Sequence, residues 1–156
     1  MKAIDRLLSE YGESHQNSTN KLIHWVCVPL IMFSLLGLLM SIPFVMERSL
    51  LLNWASIFFY GTLLYYLRLS LSMFLGFILI GGIMIFGNYS MWASFSYDAQ
   101  QLAMVSAIVF FVAWVGQFIG HKIEGKKPSF IKDLQFLLIG PAWLMHFLFR
   151  KIGIGY

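Results

Sequence analysis

Residues 22–45 read LIHWVCVPLIMFSLLGLLMSIPFV and contain no Asp, Glu, Lys or Arg. A membrane-crossing helix needs roughly 20 mostly apolar residues at about 1.5 Å each, so this stretch predicts a transmembrane helix. Outward from it, residues 50–67 are also uncharged, 69–89 follow a single Arg68, and 102–120 form a fourth run. These four segments predict four spanning helices, the second slightly short. A fifth apolar stretch, 134–149, is too short for a comfortable crossing and is interrupted by Gly140-Pro141, so it is expected to be broken or re-entrant. With 59% hydrophobic and 12% charged residues, the chain reads as an all-α, multi-pass transmembrane bundle, a single integral membrane domain over residues 1–156.

Ahead of the first span, KAIDRLLSEY (2–11) places Ile4, Leu7, Leu8 and Tyr11 on one face at helical period, predicting a short N-terminal amphipathic helix on the membrane surface. The loop GESHQNSTN (12–20) follows, with Ser18, Thr19 or Asn20 as candidate caps for the next helix. This polar, mixed-charge start and the lack of an A-x-A-like site argue against a cleavable signal peptide. The single Cys27 forms no intramolecular disulfide. Pro29 frees a backbone carbonyl near Trp25, and Gly116-x-x-x-Gly120 lets the fourth span approach a neighbour closely.

The net charge of +4 does not indicate nucleic-acid binding, because the basic residues sit at helix ends as the positive-inside rule places them. With the N-terminus inside, the inner segments hold Lys2, Arg6, Lys21, Arg68, Lys122, Lys126, Lys127 and Lys132, and the outer loops hold only Arg48. This predicts a cytoplasmic N-terminus. It also agrees with a re-entrant fifth segment, which would return Arg150 and Lys151 to the inner side.

In so apolar a chain the four histidines stand out. Ionisable groups near a bilayer are costly and are functional candidates by default, and neutral imidazole is the commonest metal ligand among side chains. The predicted topology brings His15, His24 and His121 to the inner face, and a chain reversal at Gly140-Pro141 would bring His146 there too. A metal site of His15, His24, His121 and His146 is therefore expected. Gln117, His121 and Glu124 share a helix face, as do Asn20 and His24. Asn20, Gln117 and Glu124 are expected to orient the imidazoles, with Glu124 also a candidate ligand. Zinc, copper and iron all suit such a set. No H-E-x-x-H or G-x-S-x-G occurs, and Asp5, Asp98 and Asp133 are too scattered for a two-metal phosphotransferase.

Tyr11, His15, Asn17, Asn20, Leu22, Ile23, His24, Val28 and Pro29 form one block. Gln117-Phe118-Ile119-Gly120-His121 with Glu124 and Pro128 forms a second, and Gly140-Pro141 to Phe149 a weaker third. Together they span residues 11–149 and resemble the Mpo-one-like family. The resemblance implies a multi-pass membrane dioxygenase that uses Fe(II) and O2 to shorten 2-hydroxy fatty acids by one carbon. It further implies that His15, His24 and His121 occupy the family's histidine positions. Two departures are Gln16, where a fungal member has a second adjacent His, and His146, where a Glu is expected. On this reading the hydroxy acid presents its carboxylate and hydroxyl to the iron. Its head would lie near Lys122, Lys126 or Lys127, and its tail among Phe, Leu and Met side chains. The alternative is a non-enzymatic membrane metal or lipid carrier or scaffold. The short loops lean toward a bacterial inner membrane rather than the endoplasmic reticulum.

Overall fold

The computed structural model describes residues 2–125 and 137–155. Among these it is all-helical: α1 Ala3–Gly12, α2 Ser18–Ser41, α3 Trp54–Leu69, α4 Leu71–Ser94, α5 Ala99–Glu124 and α6 Ile139–Ile152. Side chains at the starts explain several boundaries, since the first N–H groups of a helix lack intrahelical acceptors. Asn17 caps α2 by accepting from Thr19 and Asn20 N–H at 2.9 and 3.3 Å, one residue earlier than the expected cap. Asp98 caps α5 through Gln100 and Gln101 N–H. Gly125, at φ +74°, ends α5 in the left-handed conformation that glycine adopts without strain.

Three helices, α2, α4 and α5, are long and apolar enough to cross a bilayer. The four expected spans are thus not all present. Leu50, Leu51 and Leu52 belong to the connection, Asn53 caps α3 by accepting from Ser56 N–H at 3.0 Å, and the remaining 16 residues reach about 24 Å against a hydrocarbon core of about 30 Å. The fifth segment is broken and re-entrant, as expected: Leu137 packs beside Ile31 and Ala113 inside the bundle, and by Gly155 the chain is back at the start of α4, where its carbonyl accepts from Ser72 Oγ at 2.6 Å. The interruption falls at the turn residues Leu137 and Leu138, and Gly140 and Pro141 follow in the first turn of α6, where proline has no intrahelical donor to lose. Residues 134–136 of that segment lie outside the described ones.

α2 and α5 run antiparallel and form the most extensive helix pair. Their closeness rests on small residues. A Cβ added at Gly37 would fall 2.2 Å from Ser106 Oγ, one at Gly116 2.6 Å from Cys27 Sγ, and one at Gly120 2.4 Å from Asn20 Oδ1. On α4, Asn88 Nδ2 donates to the Phe33 carbonyl of α2 at 3.0 Å. Arg48 donates to the Met40 and Ser41 carbonyls at the end of α2 and lies 4.3 Å from the Trp92 ring centroid, favourable for both the helix dipole and the aromatic face. At the opposite end α1 buries Ile4, Leu8 and Tyr11 in a cluster with Ile139, Trp143 and Met145 of α6, the face its periodicity predicts.

Gly120→Ala is expected to lower stability by about 1–3 kcal/mol by pushing the buried Asn20 off α5. Gly82→Ala on α4, where nothing lies within 4 Å of the added carbon, is expected to be neutral or to gain up to about 1 kcal/mol from helix propensity. Unfolding of the two variants in detergent micelles checks the contrast.

Candidate metal centre

Three histidines reach one end of the α2–α5 pair by different local routes. His15 lies in the loop after α1, and its Nδ1 donates to the Tyr11 carbonyl at 2.7 Å. That carbonyl is among the last four of α1, which have no partner within the helix. His24, in the second turn of α2, donates from Nδ1 to the Asn20 carbonyl at 2.9 Å. A carbonyl only accepts, so both rings carry their proton on Nδ1 and their lone pair on Nε2. His24 Nε2 is buried without a hydrogen-bond partner. His121 comes from the last turn of α5. His15, His24 and His121 are 2%, 1% and 7% exposed.

The ring centroids lie 4.2 Å apart for His15 and His24, 5.1 Å for His24 and His121, and 5.5 Å for His15 and His121. One ligand nitrogen from each falls within 4.8 Å of the others. Metal–imidazole bonds of about 2.0–2.1 Å in a tetrahedral shell put ligand nitrogens about 3.3 Å apart, so the rings would close inward to hold an ion. A dry, all-nitrogen set with a buried lone pair on His24 fits a first-row transition ion. It does not resemble the oxygen-rich shells of calcium or magnesium.

The expected supporting residues take distinct positions. Glu124 accepts from Gln16 N–H at 2.7 Å, Asn17 N–H at 2.9 Å and Asn20 Nδ2 at 2.9 Å. Its carboxylate therefore clamps the loop next to His15 onto the end of α5. Asn20 orients His24 with its backbone carbonyl, while its side chain also donates to the Ser14 carbonyl at 3.3 Å. Gln117 is buried, with its carboxamide close to the His24 ring. Lys122 is exposed one residue on from His121, about 100° around the helix. Lys126 and Lys127 lie outside the described residues.

His146 is not part of the cluster. On the returning α6, Trp143 takes the level of His15, with ring centroids 5.3 Å apart. His146 lies about 4.5 Å further along the axis, half-buried beside Phe147. Burial and the nearby Arg150 lower its pKa, against Asp5, which raises it.

Two aromatic residues near the site carry no expected role from sequence. Tyr11 stacks on His15 with centroids 4.2 Å apart and planes 14° from parallel, and Trp143 packs beside both rings, 5.3 Å from His15 and 5.6 Å from Tyr11. The spacing held the signal for Tyr11, which precedes His15 by four residues just as Asn20 precedes His24. Beside the cluster a small cavity of about 40 Å³ touches Tyr11, Gln117, His121 and Gly140. A larger one of about 130 Å³ lies among α2, α3, α4 and α6.

A family model described as 2-hydroxy-palmitic acid dioxygenase Mpo1-like matches residues 1–152 of the chain. No curated protein and no solved structure matches it.

Removing the clamp in Glu124→Ala is expected to speed amide hydrogen exchange at Gln16 and Asn17 and to lower stability by about 1.5–3 kcal/mol, the range for hydrogen bonds to a charged group. Exchange in the middle of α2 and α5 should stay slow. Mass-spectrometric exchange in detergent reads both regions at once.

Proposed function

Because the chain belongs to the 2-hydroxy-palmitic acid dioxygenase Mpo1-like family, we propose that it is a membrane dioxygenase acting on 2-hydroxy fatty acids. His15, His24 and His121 hold Fe(II) in this reading. The observation that carries it is the convergence of three buried imidazole nitrogens within 4.8 Å in a chain otherwise built for lipid. Iron(II) bound there supplies the redox chemistry by which O2 converts a 2-hydroxy acid to the acid one carbon shorter.

The chain's own residues have separable tasks. The Tyr11 and Asn20 carbonyls hold the His15 and His24 rings in the tautomer that turns Nε2 inward. Glu124 fixes the His15 loop, and Gln117 and Asn20 line the approach to His24. Trp143 and Tyr11 keep water from that side of His15. Lys122, Lys126 and Lys127 supply positive charge near this end of α5 for the substrate carboxylate. The distribution of basic residues supports a cytoplasmic site, and the short loops support a bacterial inner membrane.

The test is elemental analysis of anaerobically purified protein, run beside assays for the shortened acid from 2-hydroxy fatty acid and O2. Wild type is expected to carry about one iron per chain. His24→Ala and His121→Ala should lose the metal and the activity, while His146→Ala keeps the metal. Stoichiometric zinc would retain the site and end the oxygenase reading. Metal that exchanges without O2 consumption would favour a carrier. Gln117→Ala should weaken metal affinity by about 10–100-fold, the usual effect of losing a group that supports a ligand, as read by titration with a competing chelator.

A further inference from the structure

The larger cavity begins where the smaller one ends. Val28 and Met32 of α2 and Pro141 of α6 border both, so these side chains form a wall shared with the space beside His121. Two hydroxyls lie in its wall, and each already has an acceptor. Thr62 Oγ1 donates to the Phe59 carbonyl at 2.7 Å, and Tyr66 OH donates to the Leu138 carbonyl. The hydroxyl protons are thus already engaged, and the wall offers an occupant almost entirely hydrocarbon contact. Apolar voids of about 150 Å³ in protein interiors stay dry and accept hydrocarbon, and this one measures about 130 Å³.

Its two ends differ. At the end nearer the histidines, Trp25 and Leu148 are 38% and 41% exposed on the outer surface of the bundle. About 16 Å along α2, the other end meets Leu36, Phe59 and Met84, which belong to a packed cluster with Met40 and Leu102. Phe59 is seated across Gly81, where an added Cβ would lie 2.1 Å from its ring.

Resting on the function proposed above, we infer that this cavity seats the acyl tail of the 2-hydroxy acid. The tail enters sideways from the bilayer between Trp25 and Leu148, and Leu36, Phe59 and Met84 form the stop that sets its length. The head is thereby left at the small cavity beside His121. Each methylene that gains burial strengthens binding by about fourfold, so the stop discriminates chain length through the residues at the far end and leaves the histidines untouched.

The experiment uses the full chain in detergent with a series of 2-hydroxy acids carrying a photoreactive diazirine at the tail terminus, and maps the labelled peptides. Chain-length profiles of product formation are recorded in parallel. Competable label on Leu36, Phe59 or Met84 is the expected result. Met84→Ala should gain about fourfold for the acid one methylene longer, and Gly81→Ala, which drives Phe59 toward the cavity, should shift preference to shorter acids. Label confined to lipid-facing positions such as Phe111, label that unlabelled acid does not compete, or no label at all overturns the proposal. So do unchanged length profiles in both folded variants. Label at the stop with no shortened acid from any protein would end the oxygenase reading and leave the tail seat standing. Shortened acid with label elsewhere would end the seat alone.

Discussion

The close approach of α2 and α5 is the constraint from which the site follows. Lipid tails are as apolar as leucine, so no hydrophobic force draws helices together inside a bilayer, and packing and hydrogen bonding must do so. Here glycine recurs opposite a small or polar side chain: Gly37 at Ser106, Gly116 at Cys27 and Gly120 at Asn20. At the last of these levels the backbones are near enough for a side chain at the end of α5 to reach the start of α2. Glu124 does so, and His24 and His121 come to face one another a turn away.

The same end of the bundle shows how leftover backbone groups become useful. The final carbonyls of α1 have no partner within the helix, and the loop supplies donors from the Glu13, Ser14 and His15 N–H groups and the His15 ring. The backbone N–H groups of Gln16 and Asn17 precede α2, and Glu124 accepts from both. A helix end, a loop and a helix start thus satisfy each other while fixing an imidazole. Farther along the bundle, Arg48 performs the corresponding task for the carbonyls closing α2, with Trp92 beneath its guanidinium.

The membrane class, the amphipathic α1 and the gathering of His15, His24 and His121 could be read from hydropathy, helical period and charge bias, since each is a property of position along the chain. The misreadings concern where a helix begins. Apolar composition alone does not separate Leu50, Leu51 and Leu52 from the helix that Asn53 starts, so α3 was expected to be longer than it is. Gly140-Pro141 marks the reversal to within a few residues, but a return that begins at Ile139 brings Trp143 rather than His146 beside His15. Glu124 was expected to orient an imidazole or to ligate, but besides Asn20 Nδ2 its partners are the Gln16 and Asn17 backbone N–H groups, about 108 residues away, which no residue identity announces.

That separation bears on how the protein is made. His15 and His24 leave the ribosome early, whereas His121 and the Glu124 clamp follow only after α3, α4 and most of α5. Chains acquire structure from the N-terminus during synthesis, yet the nascent protein carries only two of the three imidazoles until α5 pairs with α2. The three-histidine cluster is therefore completed late in biogenesis, timed by helix association within the bilayer, and an incompletely inserted chain lacks it.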